Sequence, residues 1–482
     1  MHFTTMKLEA SLTSLDAASE PLASSDVVPP SLQPDPTDLQ SSSHRKLEGT
    51  AMHATMWTIV AYGASQVLRL GNNVILAHLL VPEYFGLMTL MNAFVLGMVL
   101  LSDIGLQPSV VGSPRGDEPI FLNTAWTVQI VRGLLLWCFA LILSYPISLY
   151  YRDHRILMLL PVLALTMVLN GFASSNLLTA ARHMGVRRLL VIEFSSTLFG
   201  ILVIILWAEL SPSIWALVAG TLAGAAMKTL LSHIPAVLPG LRNRLAWDKS
   251  CLHSLVHIGR WILIGTGFYF FASQADRLIL GKLVSFSILG VYGIAFTISD
   301  IPRQVINQFC TRVGFPFIAK MAHLPAAEFR TVVMKYRFYA LCAGALILSI
   351  VVNAGGPLVQ LLYDRRYAAA SWMVPIFALG LWHTLLYSTT RDIMLARGKP
   401  MYNTIGTGLY CATIFVALPI SFHFYGLVGA VVSVAAGDLP VYILLVIGAE
   451  RQKVSLWRQD ILATGVFLIL VSLGYGLRHL IA

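Results

Sequence analysis

Long apolar segments, separated by short polar or basic breaks, recur from about residue 52 to the C-terminus. Each is close to the roughly 20 residues that an α-helix needs to cross the hydrocarbon core of a bilayer. A soluble enzyme would interrupt such runs with amphipathic periodicity and polar loops. The pattern predicts spans over residues 53–78, 84–111, 120–143, 156–180, 188–208, 213–234, 258–282, 288–317, 331–354, 371–396, 401–422, 427–449 and 460–480. We therefore expect an all-α integral membrane protein.

The two halves of this pattern resemble each other. Val74–Leu80 aligns with Leu278–Val284 at an offset of 204 residues, and the same offset pairs Gly86 with Gly290. Because each half holds six spans, both halves enter the membrane from the same side, which is typical of parallel repeats. The sequence predicts two six-helix bundles as parallel repeats, with twelve core transmembrane helices plus an extra C-terminal helix.

The breaks between segments predict the domain organisation. The first fifty residues are rich in Ser and Pro, contain no apolar run of signal-peptide length, and cannot bury a core. The predicted parts are a disordered cytoplasmic tail over residues 1–50, an N-terminal lobe over 51–234, a cytoplasmic linker over 235–257, a C-terminal lobe over 258–450, and an extra transmembrane helix over 451–482.

Composition and charge agree with a membrane location. Hydrophobic residues make up 57% of the chain and charged residues only 12%, against about 25% in ordinary soluble proteins. The net charge of +10 is attributed to cytoplasmic loops and not to nucleic-acid binding. With the N-terminus inside, the inner loops and span edges hold 16 Lys and Arg residues and the outer side 6. This excess predicts a cytoplasmic N-terminus. The five cysteines are scattered and predict neither a disulfide framework nor a metal site.

Several stretches resemble bacterial Wzx-type polysaccharide flippases. They are Arg69–Asn73, Pro82–Leu87, Leu101–Leu106, Gln274–Leu283 and Leu289–Tyr292. The resemblance implies the fold of the multidrug/oligosaccharidyl-lipid/polysaccharide exporter superfamily and a place in the bacterial inner membrane. It also implies translocation of an undecaprenyl-diphosphate-linked oligosaccharide for exopolysaccharide, capsule or O-antigen assembly. Membrane lipid, a polysaccharide polymerase and export proteins are then the candidate partners.

Ionisable side chains inside spans cost about 2.5–3.5 kcal/mol each, so they usually face protein or water. The predicted cavity cations are Arg69, Arg132, Lys228, Arg277, Arg303 and Arg391. Guanidinium groups suit a diphosphate because they bind phosphate oxygens in a bidentate way and stay charged. Gln66 and Asn73 share a helix face with Arg69 and are predicted to line the same cavity. Two alternatives for Arg277 stay open, namely pairing with Asp276 or reaching the outer interface.

Carboxylates within spans are the candidates for ion coupling. Asp438 stands beside a kink predicted at Pro440, and Glu193 is the second candidate. Two pairs, Asp300 with Arg303 and Arg391 with Asp392, are close enough in sequence to form ion pairs, and two roles stay open for them, namely gating the cavity or only neutralising each other. Lys335 and Arg337 lie near the start of a span and are predicted to extend their charged ends to the cytoplasmic surface.

The sequence is compatible with three functions. The first is an alternating-access flippase, as the resemblance implies. The second is an ion-coupled multidrug exporter on the same fold, against which the excess of intramembrane Arg and Lys argues. The third is a membrane glycan polymerase, which would need larger outer loops than this chain has. The sequence contains no motif for nucleotide hydrolysis or covalent catalysis, so we expect a transporter that is not an enzyme and that uses no cofactor or metal.

Overall fold

A computed structural model describes residues 63–183, 185–321, 323–452 and 454–481 of the chain. The described residues form helices and short connections, with no β-strand among them. The predicted tail over residues 1–50 and the start of the first predicted span lie outside the described residues. The α-helices are α1 (63–79), α2 (Pro82–Leu100), α3 (Leu106–Gly112), α4 (Pro119–Tyr151), α5 (Ile156–Phe172), α6 (Asn176–Arg182), α7 (Val186–Leu210), α8 (Ile214–His233), α9 (Lys249–Leu283), α10 (Phe286–Phe309), α11 (Phe315–Met321), α12 (Ala326–Leu362), α13 (Ala370–Ala396), α14 (Met401–Ala435), α15 (Leu439–Arg451) and α16 (Trp457–Ile481). A π-helix, Cys310–Gly314, joins α10 to α11, and a 3₁₀ turn, Arg365–Tyr367, precedes α13.

Many of these helices can cross a bilayer. Within the described residues, eight helical segments are long and apolar enough to do so, or nine if α5 and α6 form one bent span. The helices α9 and α10 do not meet this criterion, and both carry charged residues, Asp276 and Arg277 in α9 and Asp300 and Arg303 in α10. The prediction of an all-α membrane protein is confirmed.

Two predicted spans in the first half of the chain are interrupted. The second, over residues 84–111, is wrong as a single helix because α2 ends at Leu100 and α3 begins at Leu106. Gly105 lies between them with a φ of 61°, a left-handed conformation that glycine adopts without a steric penalty. The Asp103 carboxylate accepts a hydrogen bond of 2.9 Å from the Gly105 amide, which stabilises the turn. The fourth predicted span bends by 65° between α5 and α6.

The predicted eleventh and twelfth spans meet at a kink in α14. Gly426, with a φ of 58° and a ψ of −143°, breaks the regular helix there. The twelfth span then breaks again, because α14 ends at Ala435 and α15 begins at Leu439. Asp438 is the N-cap of α15, and Pro440 occupies its first turn, where a missing amide hydrogen costs nothing. The kink predicted beside Asp438 is therefore confirmed as a helix break.

The connection between α8 and α9 is shorter than the predicted linker, because α9 begins at Lys249. Asp248 caps this helix by accepting a hydrogen bond of 2.8 Å from the Cys251 amide. Hydrogen bonds from the Ser250 hydroxyl and the Cys251 amide to its carboxylate lower the pKa of Asp248. The remaining connection is held against other helices, since the Asn243 side chain donates to Ser175 Oγ over 2.6 Å.

The helices α2 and α10 pack directly against each other. A Cβ atom on Gly86 would lie 1.8 Å from the Phe286 carbonyl oxygen, and one on Gly290 would lie 1.9 Å from the Pro82 carbonyl oxygen. Gly86 and Gly290 are the pair matched by the sequence repeat. The two glycines therefore allow the helix backbones to approach each other in a reciprocal contact.

Polar contacts join the helices around this crossing. They are Arg155 Nη2 to Glu83 Oε1 (2.6 Å), Tyr151 Oη to Leu278 O (3.0 Å), Arg366 Nη2 to His78 O (3.1 Å) and Tyr367 Oη to Leu80 O (3.0 Å). These contacts and the Gly86–Gly290 crossing connect the α1–α2 turn and the end of α4 with α9, α10 and the turn before α13. We call this region the sealed end.

A buried ion pair connects the helix α16 to the helix α12. Arg337 on α12 is fully buried and forms an ion pair with Asp460 in the first turn of α16. The same guanidinium donates to Thr389 Oγ1 (2.9 Å) and to the Leu386 carbonyl oxygen (3.1 Å) on α13. The prediction that Arg337 extends to the membrane surface is wrong, because its partners lie inside the helical bundle.

Candidate functional site

A cavity of about 600 Å³ lies among α9, α10, α13, α14 and α15. Its volume is within the range of ordinary ligand sites. Three arginines and three aspartates line it, together with aromatic, hydroxyl and amide side chains. The charged lining consists of Asp276, Arg277, Asp300, Arg303, Arg391 and Asp438, and the uncharged polar and aromatic lining includes Tyr269, Ser273, Gln274, Phe296, Gln304, Asn307, Tyr387, Asn403, Thr407 and Tyr410. We call this space the charged cavity.

One face of α10 supplies much of this lining. Asp300, Arg303, Gln304 and Asn307 are spaced by three or four residues, so they fall on the same side of the helix. The Asp300 carboxylate accepts a hydrogen bond of 2.6 Å from Arg303 Nε and one of 2.7 Å from Gln304 Nε2. The predicted Asp300–Arg303 pair is thus formed, and it faces the cavity. This spacing was present in the sequence and could have identified Gln304 and Asn307 as well.

Arg277 extends from α9 into the cavity, and protein atoms accept hydrogen bonds from only part of its guanidinium group. Its Nη1 donates to the Ser273 carbonyl oxygen (3.0 Å) and to Gln274 Oε1 (3.1 Å). The distance from Nη1 to Asp276 Oδ1 is 3.9 Å, which is long for an ion pair. The guanidinium carbon lies 4.6 Å from the centre of the Phe296 ring, and that of Arg303 lies 5.2 Å from it. Two cations therefore converge on one aromatic side chain.

The aspartates near Arg277 and Arg303 have other partners too. The Asp276 carboxylate accepts a hydrogen bond of 2.6 Å from the Tyr292 hydroxyl. The Asp438 carboxylate accepts one of 2.7 Å from the Thr384 hydroxyl. Arg391 lies 3.6 Å from Asp392, as the sequence predicted for that pair. A guanidinium carries five N–H donors, so each of these arginines has capacity for an anionic ligand beyond its present contacts.

The structure gathers four of the predicted site residues in this cavity, namely Arg277, Arg303, Arg391 and Asp438. Gln66 also reaches its edge, because its Nε2 donates to Gln304 Oε1 over 2.6 Å. Arg69 is exposed on α1, one turn after Gln66.

Other predicted residues lie elsewhere. Arg132 donates to Ser102 Oγ (3.1 Å) and to the Val99 carbonyl oxygen (2.5 Å), so it binds the C-terminal end of α2. Lys228 and Glu193 pair with each other over 2.9 Å across α8 and α7. The predicted cavity cation Lys228 and the predicted coupling carboxylate Glu193 therefore neutralise one another at a partly exposed position.

Asn73 lines a second cavity, of about 230 Å³, among α1, α2, α7, α8 and α10. All of the described side chains that line it are uncharged. Its polar lining consists of Asn72, Asn73, Thr89, Asn92, Thr221 and Thr297. We call this space the neutral cavity. Sequence reasoning identified only Asn73 of this set. Asn72 is its neighbour on α1, and the other four residues come from α2, α8 and α10, whose packing against α1 the sequence does not reveal.

The described residues contain no group of three or more His, Cys, Asp or Glu side chains that could hold a metal ion. The charged groups among the described residues of the charged cavity are instead three arginines and three aspartates. Such a set suits a polar, charged ligand that replaces water within the membrane.

A bundle of long apolar helices with polar cavities between them defines a multi-pass α-helical membrane protein. A polysaccharide biosynthesis protein family matches residues 75–372, which is more than half of the chain. The chain therefore belongs to the polysaccharide biosynthesis protein family, and the predicted resemblance is confirmed. The lipopolysaccharide biosynthesis protein WzxC of Escherichia coli (strain K12) is 22% identical over 268 residues, which cover 55% of this chain and 54% of WzxC. The chain spans about half the length of the curated relatives it matches.

Two solved structures share the fold. One is the inward-facing conformation of a multidrug resistance MATE family transporter of the MOP superfamily, with a TM-score of 0.62, 11% identity, and coverage of 79% of this chain and 93% of that one. The other is the lipid II flippase MurJ in an inward closed conformation, with a TM-score of 0.62, 13% identity, and coverage of 88% and 99%. At this level of identity, the similarity establishes the fold alone.

Proposed function

We propose that this protein is a flippase that translocates undecaprenyl-diphosphate-linked oligosaccharide repeat units across the bacterial inner membrane, for exopolysaccharide, capsule or O-antigen assembly. The observation that carries the proposal is the convergence of Arg277, Arg303 and Arg391 on one cavity within the helices of a polysaccharide biosynthesis protein. Guanidinium groups in a water-poor site match a diphosphate in charge and geometry. The relative WzxC is itself a lipopolysaccharide biosynthesis protein by its name.

The proposed architecture is two six-helix lobes and an additional C-terminal helix. The lobes comprise residues 51–234 and 258–450, joined by the connection over 235–257, with a cytoplasmic tail over 1–50 and the extra helix over 451–482. The repeat-related contact between Gly86 and Gly290 supports this division. Alternating access would open the sealed end as the two lobes rock apart.

The proposed orientation places the N-terminus in the cytoplasm and the sealed end on the outer side. Its support is that two arginines of the sealed end, Arg155 and Arg366, stand in connections that a cytoplasmic N-terminus and the predicted spans place on the outer side. The proposed partners are the lipid-linked oligosaccharide, membrane lipid, a polysaccharide polymerase and export proteins, and no nucleic acid.

The test is reconstitution of the full chain into liposomes that contain undecaprenyl-diphosphate glycans. We expect transbilayer movement of the glycan lipid, and a rate about 10- to 100-fold lower for Arg277→Gln, because the lost hydrogen bonds would be to a charged group. Arg458→Gln, which changes an exposed arginine beside Trp457, is the matched control and should keep the wild-type rate. Absence of movement by the wild-type protein for every glycan lipid would contradict the proposal.

The second candidate is an ion-coupled exporter of cationic drugs. It is favoured by the shared fold with a multidrug transporter and by Asp438, whose carboxylate is held by the Thr384 hydroxyl and faces a cavity with Tyr387 and Tyr410. In this function Asp438 would bind the coupling ion. Drug-susceptibility measurements with and without the gene distinguish the two functions. Loss of a drug exporter should raise susceptibility, whereas loss of a flippase should leave it unchanged. A membrane glycan polymerase is the third and weaker candidate.

A further inference from the structure

We propose that the neutral cavity is a sugar-binding subsite, which holds a glycan residue remote from the diphosphate. The inference rests on the proposed flippase function and assigns different parts of one substrate to the two cavities. The diphosphate would bind in the charged cavity, and an uncharged sugar of the attached oligosaccharide would bind among Asn72, Asn73, Asn92, Thr89, Thr221 and Thr297.

The chemistry of the lining selects an uncharged, hydroxyl-rich ligand. An asparagine side chain offers two N–H donors and one carbonyl acceptor. A threonine hydroxyl can both donate and accept a hydrogen bond, and so can each hydroxyl of a sugar. The Thr221 and Thr297 hydroxyls donate to the carbonyl oxygens of Leu217 and Gly293, which leaves their lone pairs able to accept. A diphosphate would find no cation among the described residues of this cavity, so its charge would be costly to bury there.

One residue of this lining has an acceptor atom without a partner. In the described part of the chain, the buried Asn72 Oδ1 atom has no hydrogen-bond partner. A buried polar atom without a partner costs about 1–3 kcal/mol, so such atoms usually signal a missing ligand or water. Rotation of the Asn72 side chain would turn its amide group into the cavity, where a sugar hydroxyl can donate to Oδ1.

The placement of the two cavities along α10 fits one extended substrate. Gly290, Gly293 and Thr297 face the neutral cavity, whereas Asp300, Arg303 and Asn307 face the charged cavity. At a rise of 1.5 Å per residue, the two groups are centred about 15 Å apart. An oligosaccharide on a diphosphate can span this separation, but the bare diphosphate cannot.

The neutral cavity also lies next to the sealed end. Its lining includes Gly290 and Phe85, and Gly290 contacts Gly86 at the crossing of α2 and α10. A sugar in this cavity would therefore be the part of the substrate nearest to that crossing. Separation of α2 from α10 would expose the glycan before the diphosphate.

The experiment measures binding of two probes to the purified full chain in detergent. The probes are undecaprenyl diphosphate and the same lipid carrying a neutral trisaccharide. We expect the trisaccharide lipid to bind more tightly to the wild-type protein. Asn92→Leu or Thr221→Val should weaken its binding by about fivefold, as expected for one lost hydrogen bond, without changing the affinity for the bare lipid.

The matched control is Thr413→Val. Like Thr221, Thr413 donates to the carbonyl oxygen four residues earlier, but it lies outside the linings of both cavities, so neither affinity should change. Thr297→Met, which fills the neutral cavity from α10, is the second variant should the others unfold. Its effect should again be confined to the trisaccharide lipid.

The outcomes separate the two proposals. If the neutral-cavity variants leave both affinities unchanged while Arg277→Gln weakens both, the subsite is wrong and the flippase proposal stands. Equal weakening of both probes by Asn92→Leu and Thr221→Val would also overturn the subsite. If the wild-type protein binds neither lipid, both proposals fail.

Discussion

Arg337 illustrates how a single charged residue can hold separate helices together. Its guanidinium is fully buried, and its partners are Asp460 on α16 and hydroxyl and carbonyl groups on α13. The Tyr442 hydroxyl on α15 donates to the second Asp460 oxygen over 2.7 Å. A buried ion pair of this kind adds little net stability compared with an apolar pair, but breaking it leaves an uncompensated charge.

We expect Asp460→Ala to destabilise the protein by about 3–5 kcal/mol, because Arg337 would lose its counter-charge inside the bundle. The measurement is thermal unfolding of the full chain in detergent. Glu118→Ala, which removes the partner of the more exposed Arg115, is the control and should have little effect.

The double variant Arg337→Met with Asp460→Leu tests the cause. Replacing both charges by apolar groups should recover most of the stability lost in Asp460→Ala, because no unpaired charge remains. If the double variant is as unstable as the single one, the loss arises from packing and not from the charge.

At the scale of the helices, the crossing of α2 and α10 depends on two residues without side chains. Gly86 and Gly290 face each other, and neither position has room for a Cβ atom unless the backbones separate. Gly105 and Gly426 act through backbone conformation and not through close packing. Both have positive φ angles, which a regular right-handed helix does not contain, so the helical path is interrupted there.

We expect Gly86→Ala or Gly290→Ala to destabilise the protein by about 1–3 kcal/mol, the usual cost of overpacking. Thermal unfolding measures the effect. Gly71→Ala on α1 is the matched control, since an added Cβ would meet nothing within 4 Å and alanine favours a helix. An unchanged unfolding temperature for both crossing variants would show that the helices are not in close contact in the membrane.

At the scale of the whole molecule, the proposed orientation has its own test. Cysteines would be introduced at His154, between α4 and α5, and at Lys399, between α13 and α14; both positions are exposed. The five natural cysteines, which are all free thiols, are first replaced. We expect a membrane-impermeant maleimide to label His154→Cys in intact cells, and Lys399→Cys only after the membrane is opened. The reverse pattern would show that the N-terminus faces outward.

The sequence by itself determined the membrane location, the helical class and the family. Spanning a bilayer requires a local run of apolar residues, so composition and hydrophobic length are sufficient evidence. The Asp300–Arg303 and Arg391–Asp392 pairs were predictable for the same reason, because their partners are close neighbours in the chain. The broken helix beside Asp438 was also predictable, since Pro440 favours a helix start.

Only the tertiary structure decided which intramembrane charges that are distant in the chain meet. Arg277, Arg303 and Arg391 share a cavity, while Arg132 binds the end of α2 and Lys228 pairs with Glu193. Arg337 and Asp460 are 123 residues apart, and Gly86 and Gly290 are 204 apart, so no local pattern reveals their contact. Hydropathy reports how costly each charge is in lipid, but the packing of distant helices decides which partner offsets that cost.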